Sequence, residues 1–393
     1  MVASFSPERK TEIDFVLLLT YNIREWKGVK TMDLTQDRRA LHRIPELDRH
    51  LPQTMEYLTH GLEGLSCRVF SPMEGALGAW FDFGKDTAIA FRADADALPI
   101  AERTGADYQS NHPGCMHACG HDGHMAILLE LARRLSKKKD LPHNVLLVFQ
   151  PAEETTGGAR DLCETGLFAR YKVKAIFGLH LWPGLPAGRV FSRAQELMAR
   201  SCEVDVDIYG KSSHIAKASQ GIDALEAGME FYRGALEMER GLPEGIFRLL
   251  KFGKLQSGTV RNALSEHTRL EGSLRAFQDE VFEGMQNGLR SLAEEVMRRF
   301  GCRVKLHFSS GYPAVMNPKD LYDRVRSAVP FDELAEPSMT AEDFSWYQRY
   351  LPGLFFFLGV GDVPALHADT FDFDEAALMG GADFFESIAE NEI

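Results

Sequence analysis

The spacing of apolar positions changes along the chain, and the change divides it. In the first half, short apolar runs alternate with amphipathic helical patterns. TAIAFRA (87–93), NVLLVFQ (144–150) and AIFGLHL (175–181) carry almost no charge and lie between polar segments, which predicts buried strands. GALGAWFDF (75–83) is a further apolar run, while Thr35 to His42 and LPQTMEYLTHGLEGL (51–65) have helical spacing. MAILLELARRLSKKK (125–139) sets Leu128, Leu131, Ala132 and Leu135 on one face and basic residues in its last turn, a good amphipathic helix. Strands alternating with helices predict a mainly parallel α/β sheet.

From about residue 199 the pattern becomes strict alternation. CEVDVDIYG (202–210) places Val204, Val206 and Ile208 on one face, and CRVKLHF (302–308) does the same with Val304, Leu306 and Phe308. Helical patterns at 221–240 and 279–300 and strand patterns at 247–255 and 267–277 complete the order βαββαβ, the ferredoxin-like arrangement. One sheet face should be solvated and the other covered by both helices. Residues 346–393 return to the first style. The expected fold class is therefore α/β with two domains. Residues 32–198 and 310–393 form a discontinuous domain, 199–309 are inserted into it, and 1–31 are an N-terminal extension.

Composition narrows the function. A chain of 393 residues exceeds one ordinary core. A net charge of −13 without a long basic run argues against a nucleic-acid partner. The six cysteines are scattered, which fits a reducing, cytoplasmic setting better than a disulfide framework. No apolar run approaches the ~20 residues needed to span a bilayer. FVLLLT (15–20) follows acidic residues and lacks a cleavage site, so it is not read as a signal peptide.

The densest chemistry is MHACGHDGH (116–124), with a thiol, three imidazoles and a carboxylate in nine residues. Such ligands at close spacing suit a transition metal, and Cys119 and His121, two apart, can face one side. A short His/Cys cluster alone is weak evidence. Three later segments, FQPAEE (149–154), GLHLWP (178–183) and LHAD (366–369), each offer a further ligand at the end of an apolar run. Strand ends are where open α/β sheets collect functional groups.

These segments, with RADADALPI (92–100), HIAKASQGIDA (214–224), SLRAF (273–277) and MTAEDF (339–344), resemble in order the M20 metallopeptidase family, best its amidohydrolase branch. That branch includes auxin-conjugate, hippurate, N-acetyl-amino-acid and aminobenzoyl-glutamate hydrolases. The likeness covers about Met32 to the C-terminus. It implies a two-metal catalytic domain and a smaller lid domain that commonly dimerises, so a homodimer or higher homo-oligomer is expected. By resemblance the metal ligands fall on Cys119, His121, Glu154, His180 and His367, and the general base on Glu153. His214 falls where the family stabilises the oxyanion, and Asn262 and Arg275 where it contacts substrate.

The chemistry agrees with those assignments. Five protein ligands for two ions leave positions open for water and substrate. A thiolate disfavours magnesium and calcium and leaves manganese, zinc, nickel and cobalt as choices. Cys119 is a natural bridge, although an adjacent carboxylate could also bridge. Asp96 is expected to orient a ligand rather than bind metal. Glu342 and Asp343 read either as helix-start charges or as groups near the site. Arg275 offers a fork for a substrate carboxylate, or else pairs as a strand arginine. Ala218 and Ser257-Gly258 depart from the family's usual proline and glycine pair in the lid.

The expected activity is metal-dependent hydrolysis of a small N-acyl amino acid by an activated water, with Glu153 moving the proton. Two rivals stand beside it: a dipeptidase or aminopeptidase of the same architecture, and a metal-dependent binding protein without catalysis.

Overall fold

The computed structural model describes residues 33–393; the extension expected at 1–31 lies outside the described residues. An eight-stranded sheet runs in the order Arg68–Phe70, Leu77–Phe81, Asn144–Gln150, Ala88–Asp94, Val173–Trp182, Gly353–Gly359, Val190–Ser192, Asp332–Glu333. Asn144–Gln150, Ala88–Asp94, Val173–Trp182 and Gly353–Gly359 are parallel neighbours. Three of them bury every residue, which is why their apolar runs do not alternate. The expectation of a mainly parallel sheet holds at this centre and not at the flanks. Leu77–Phe81 and Val190–Ser192 add antiparallel. Arg68–Phe70 and Leu77–Phe81 form a hairpin, too closely spaced for a crossover helix.

The helix expected from residue 125 begins four residues earlier, at His121–Leu135. Its first turn, HDGH, is polar yet wholly buried, so apolar periodicity could not find it. Gly120 precedes it with φ 84, and a Cβ there would come 2.9 Å from Leu181 Cδ1. Glycine is thus required twice over, by the left-handed backbone and by the close approach of the sheet.

A second helix, Leu34–His42, starts at Asp33 with a reciprocal cap to Gln36. It is clamped to that polar first turn: Arg38 Nε and His42 Nδ1 both reach Asp122, at 2.9 and 2.7 Å. Burial works against a charged His42, but Asp122 and then Glu102 outweigh it and push its pKa up to about 9. The raised value exceeds the unfolded one, about 6.5. This contribution to stability is therefore complete below about pH 6.5 and disappears as pH rises through 9. Urea unfolding of chelator-treated protein should show His42→Gln costing most near pH 6. The wild-type advantage should shrink by on the order of 3 kcal/mol by pH 10. A pH-independent difference would contradict the clamp.

The alternating half folds as read. Arg303–Phe308, Arg200–Tyr209, His267–Ala276 and Arg248–Ser257 form, in that order, a four-stranded antiparallel sheet. Helices Ala224–Arg240 and Asp279–Phe300 cover one face. Val204, Val206, Ile208, Phe231, Leu270 and Leu289 are buried in a core separate from the one around the large sheet. The chain enters this module after the strand Gln195–Met198 and leaves it before Val315–Asn317, and these two strands pair antiparallel as a neck. Among the described residues, no helix is long and apolar enough to cross a membrane.

Candidate metal centre

The carboxyl ends of the parallel strands bring the proposed residues together. Ala88–Asp94 runs out toward Asp96, Asn144–Gln150 toward Glu153 and Glu154, and Val173–Trp182 carries His180 near its end. Cys119 lies in the turn before the helix His121–Leu135. His367 arrives on the loop beyond Gly353–Gly359, where its N–H donates to the Ala118 carbonyl at 2.8 Å. Two trios result. Cys119, His121 and His180 form one, and Cys119, Glu154 and His367 the other; in each, the potential ligand atoms lie within 4.8 Å of one another. Cys119 belongs to both, with Sγ 3.4 Å from His180 Nε2 and 3.2 Å from His367 Nε2.

Hydrogen bonds settle which imidazole nitrogens are free. His121 Nδ1 lies 2.8 Å from the Asp96 carbonyl and His180 Nδ1 2.7 Å from that of Leu181. A carbonyl only accepts, so both Nδ1 atoms carry the proton and both Nε2 atoms turn inward. His121 Nε2 is buried with no hydrogen-bond partner, 3.6 Å from Asp94 and 3.8 Å from Glu154, while Glu154 Oε1 faces His367 Nε2 at 3.2 Å. Orphaned polar atoms of this kind are costly unless something else binds them. A divalent cation fits this donor set of one thiol, three imidazoles and one carboxylate.

The electrostatics agree. Burial, then the charges of Glu154 and Glu153, hold the Cys119 thiol well above its ordinary pKa. Its thiolate therefore needs added positive charge. Burial and neighbouring His124 push His180 down to about 3, leaving it neutral with a lone pair to give. Burial opposes a charged His121, but Asp94, Glu154 and Asp96 outweigh it and raise its pKa to about 9. A cation placed among those carboxylates would replace the proton there.

Glu153 stands beside this centre and is buried. Burial, followed by Glu342, Glu154 and Asp343, drives its pKa well above the carboxylate range. It also comes within ligand distance of His121 and Glu154. Asp96 serves the site from both ends. Its carbonyl orients His121, while its carboxylate accepts the backbone N–H groups of Glu153 and Glu154 at 2.9 and 3.1 Å. The turn these hold is strained. Ala152 has φ 59, and on its own loop His367 has φ 66, left-handed values that non-glycine residues adopt at a cost.

Beneath the trios lies a buried network that sequence reasoning missed. Arg92 reaches Asp94 at 2.7 Å, Asp343 at 2.8 Å, Glu342 at 3.0 Å and the Gln150 side-chain Oε1 at 2.8 Å. Asp94 in turn accepts from His124 Nδ1 at 2.5 Å, and His124 Nε2 accepts from the Leu181 N–H. The readable signal was the recurrence of Arg92, Asp94 and Asp96 at every second position. Glu342 and Asp343 both belong to this network, Asp343 through both carboxylate oxygens and Glu342 through Oε1. Glu342 accepts from Phe344 N, and Asp343 from Gln150 Nε2 and Ala159 N.

His214, Asn262 and Arg275 make their hydrogen bonds elsewhere. His214 is exposed and its Nδ1 accepts from Ala216 N at 3.2 Å. Asn262 is its neighbour, since the Asn262 carbonyl accepts from Ile215 N at 3.0 Å. Among the described residues, neither is hydrogen-bonded to a member of the trios. Arg275 is half-buried; Nη1 donates to the Met339 carbonyl and Nε to Ser273 Oγ.

Known proteins share this chain's sequence and fold. A family model, "Peptidase family M20/M25/M40", matches residues 90–391. An uncharacterized hydrolase of Staphylococcus haemolyticus is 35% identical over 370 residues, covering 90% of this chain and 97% of its own. Among solved structures, a protein of methicillin-resistant Staphylococcus aureus, provisionally described as an aminohydrolase, superposes with a TM-score of 0.86 at 27% identity. That match covers 91% of this chain and 96% of the other. The YXEP protein of Bacillus subtilis, described as a dinuclear metal binding peptidase, superposes at 0.78 with 30% identity, over 91% and 96% of the two chains. With two ligand trios at the strand ends and these matches over nearly its whole described length, the chain belongs to peptidase family M20/M25/M40 and is a metal-dependent hydrolase of amide or peptide bonds.

Proposed function

We propose that the chain deacylates small N-acyl amino acids, releasing a carboxylic acid and a free amino acid. The observation that carries the reading is Cys119, common to both trios, with Glu153 buried beside them. In this reading Cys119, His121 and His180 hold one divalent ion and Cys119, Glu154 and His367 a second. Manganese, zinc, nickel and cobalt suit the thiolate. Ions held there supply Lewis acidity toward a carbonyl and lower the pKa of water. Glu153 takes the proton from the attacking water and passes it to the leaving amine. Residues 199–309 act as the lid of a discontinuous domain, 32–198 and 310–393. The lid delivers His214 to the oxyanion and Asn262 and Arg275 to the substrate, Arg275 by releasing Met339.

An acylated substrate is favoured over a free dipeptide by the state of the carboxylates. An N-terminal ammonium needs an unengaged acidic partner. Asp343 is already committed through both oxygens to Arg92, Gln150 and Ala159 N, and Glu342 through Oε1 to Arg92 and Phe344 N. All six cysteines are free, which supports a reducing, cytoplasmic setting. The outer strand Arg248–Ser257, which carries exposed Leu255, offers an edge for pairing in a homodimer, whose mass sedimentation would read.

The test loads metal-free protein separately with manganese, zinc, cobalt and nickel. Each preparation is given a mixed N-acyl amino acid panel and, in parallel, free dipeptides, followed by mass spectrometry. Ion-dependent release from the acylated panel is expected. Turnover confined to dipeptides would move the assignment to a peptidase, and two bound ions without any turnover would favour the binding-protein reading.

A further inference from the structure

The segment that leaves the four-stranded module does more than connect. Ser309 N still pairs with the Glu203 carbonyl of the module at 3.1 Å. Gly311, at φ 54, lies so close to the entering strand that a Cβ would sit 1.7 Å from the Ser201 carbonyl oxygen. Three residues on, Ala314 packs with Ala199 and Phe277, and the paired neck begins at Val315. Between these two fixed points stands Tyr312. Its hydroxyl donates to the Glu153 carbonyl at 2.8 Å and lies 3.2 Å from that of Thr155. Its ring fills the space over Gly157, where a Cβ would meet Cε1 at 2.9 Å.

The loop under Tyr312 carries Glu153 and Glu154, and it is held from two directions. Asp96 accepts from the Glu153 and Glu154 N–H groups, and the Tyr312 hydroxyl donates to the Glu153 carbonyl, the other side of the Glu153–Glu154 peptide. The loop needs both. Ala152 is left-handed, and its carbonyl already closes the turn by accepting from Gly157 N and Gly158 N. A strained turn persists only where its surroundings over-determine it. Tyr312 is the part of that surrounding structure contributed by the segment leaving the module rather than by the large sheet.

We propose that Tyr312 is a positioning residue: through its hydroxyl it ties the neck of the inserted module to the Glu153–Glu154 peptide, so that the seating of the base depends on the module. This rests on the reading of Glu153 as the base. The ring alone would keep the packing over Gly157, so Tyr312→Phe removes only the tie. Two readouts are taken on the full chain. Hydrogen exchange is measured at the amides of Glu153, Glu154, Gly157 and Gly158, with strand amides of residues 204–208 as controls. Turnover of whichever panel substrate is cleaved is measured on ion-loaded protein of verified ion content. The four loop amides should exchange several-fold faster while the controls hold. kcat should fall about tenfold with KM and ion stoichiometry unchanged, the signature of a lost orienting bond rather than lost binding. Unchanged loop exchange overturns the proposal, and so does faster exchange with an unchanged kcat. If the wild type cleaves nothing on the panel, the functional reading fails separately and the exchange arm alone decides whether the tie exists.

Discussion

Glu153→Gln should reduce kcat by about 10²- to 10⁴-fold, the usual range for a lost general base, with two ions still bound. The amide keeps the shape and the backbone bonds to Asp96 and Tyr312, because those use main-chain atoms of residue 153. What it lacks is a site to take a proton. The ion count separates this role from its nearest competitor, since Glu153 also lies within ligand distance of His121 and Glu154. Loss of an ion in the variant would make Glu153 a ligand, and near-native turnover would remove it from the mechanism. Stability supplies an independent reading. Burial and four acidic neighbours raise the Glu153 pKa in the fold, so its ionisation opposes folding above the unfolded value, about 4.3. Glutamine escapes that penalty. The ion-free variant should therefore melt higher than ion-free wild type at pH 7, gaining stability where it loses activity.

The parts of the molecule that were legible from sequence are those with a period or a motif. Strict alternation at 202–210 and 302–308 identified strands with one covered face, and the buried residues Val204, Val206 and Ile208 are the ones it named. Unbroken runs identified the parallel centre because those strands are covered on both faces. The flanking strands escaped. Val190–Ser192 and Asp332–Glu333 have three and two residues, too few to show any period. The neck escaped for the same reason, and with it the role of Tyr312. At the metal centre the converging ligands could be named because each sits in a recognisable segment. The Arg92 network could not, because a buried arginine among carboxylates looks, one residue at a time, like the polar end of a strand. Only the fold shows that Arg92, Asp94, Gln150 and Asp343 share one buried place. His214, Asn262 and Arg275 mark the limit of motif transfer. The motifs name them, but the contacts they make here are with Ala216, Ile215 and Met339.

Cys119→Ala should disable both ion sites at once, and this is the sharpest consequence of a shared ligand. In the two-trio geometry His180 serves one site and Glu154 and His367 the other, while Cys119 serves both. His180→Ala should therefore leave about one ion per chain, and so should Glu154→Ala, whereas Cys119→Ala should leave less than one at the same free-ion concentration. The reasoning is electrostatic as well as geometric. Glu154 is the only other anionic member of the trios, and its pKa is lowered, after the opposing effect of burial, by His367 and His121. Removing the thiolate leaves the His121–His180 site without the one anion common to both trios, and two imidazoles hold a divalent ion far less tightly than two imidazoles and a thiolate. Metal analysis after equilibrium dialysis reads the stoichiometry directly, and cobalt-loaded protein adds a spectroscopic check. Its thiolate-to-cobalt charge-transfer absorption should vanish in Cys119→Ala and persist in both single-site variants. If Cys119→Ala instead keeps one tightly bound ion, the thiol belongs to a single site and the bridge must be sought among the carboxylates, with Glu154 first. If all three variants lose both ions, the two sites fill only as a pair, and the Cys119 result no longer distinguishes a bridging ligand from a cooperative one.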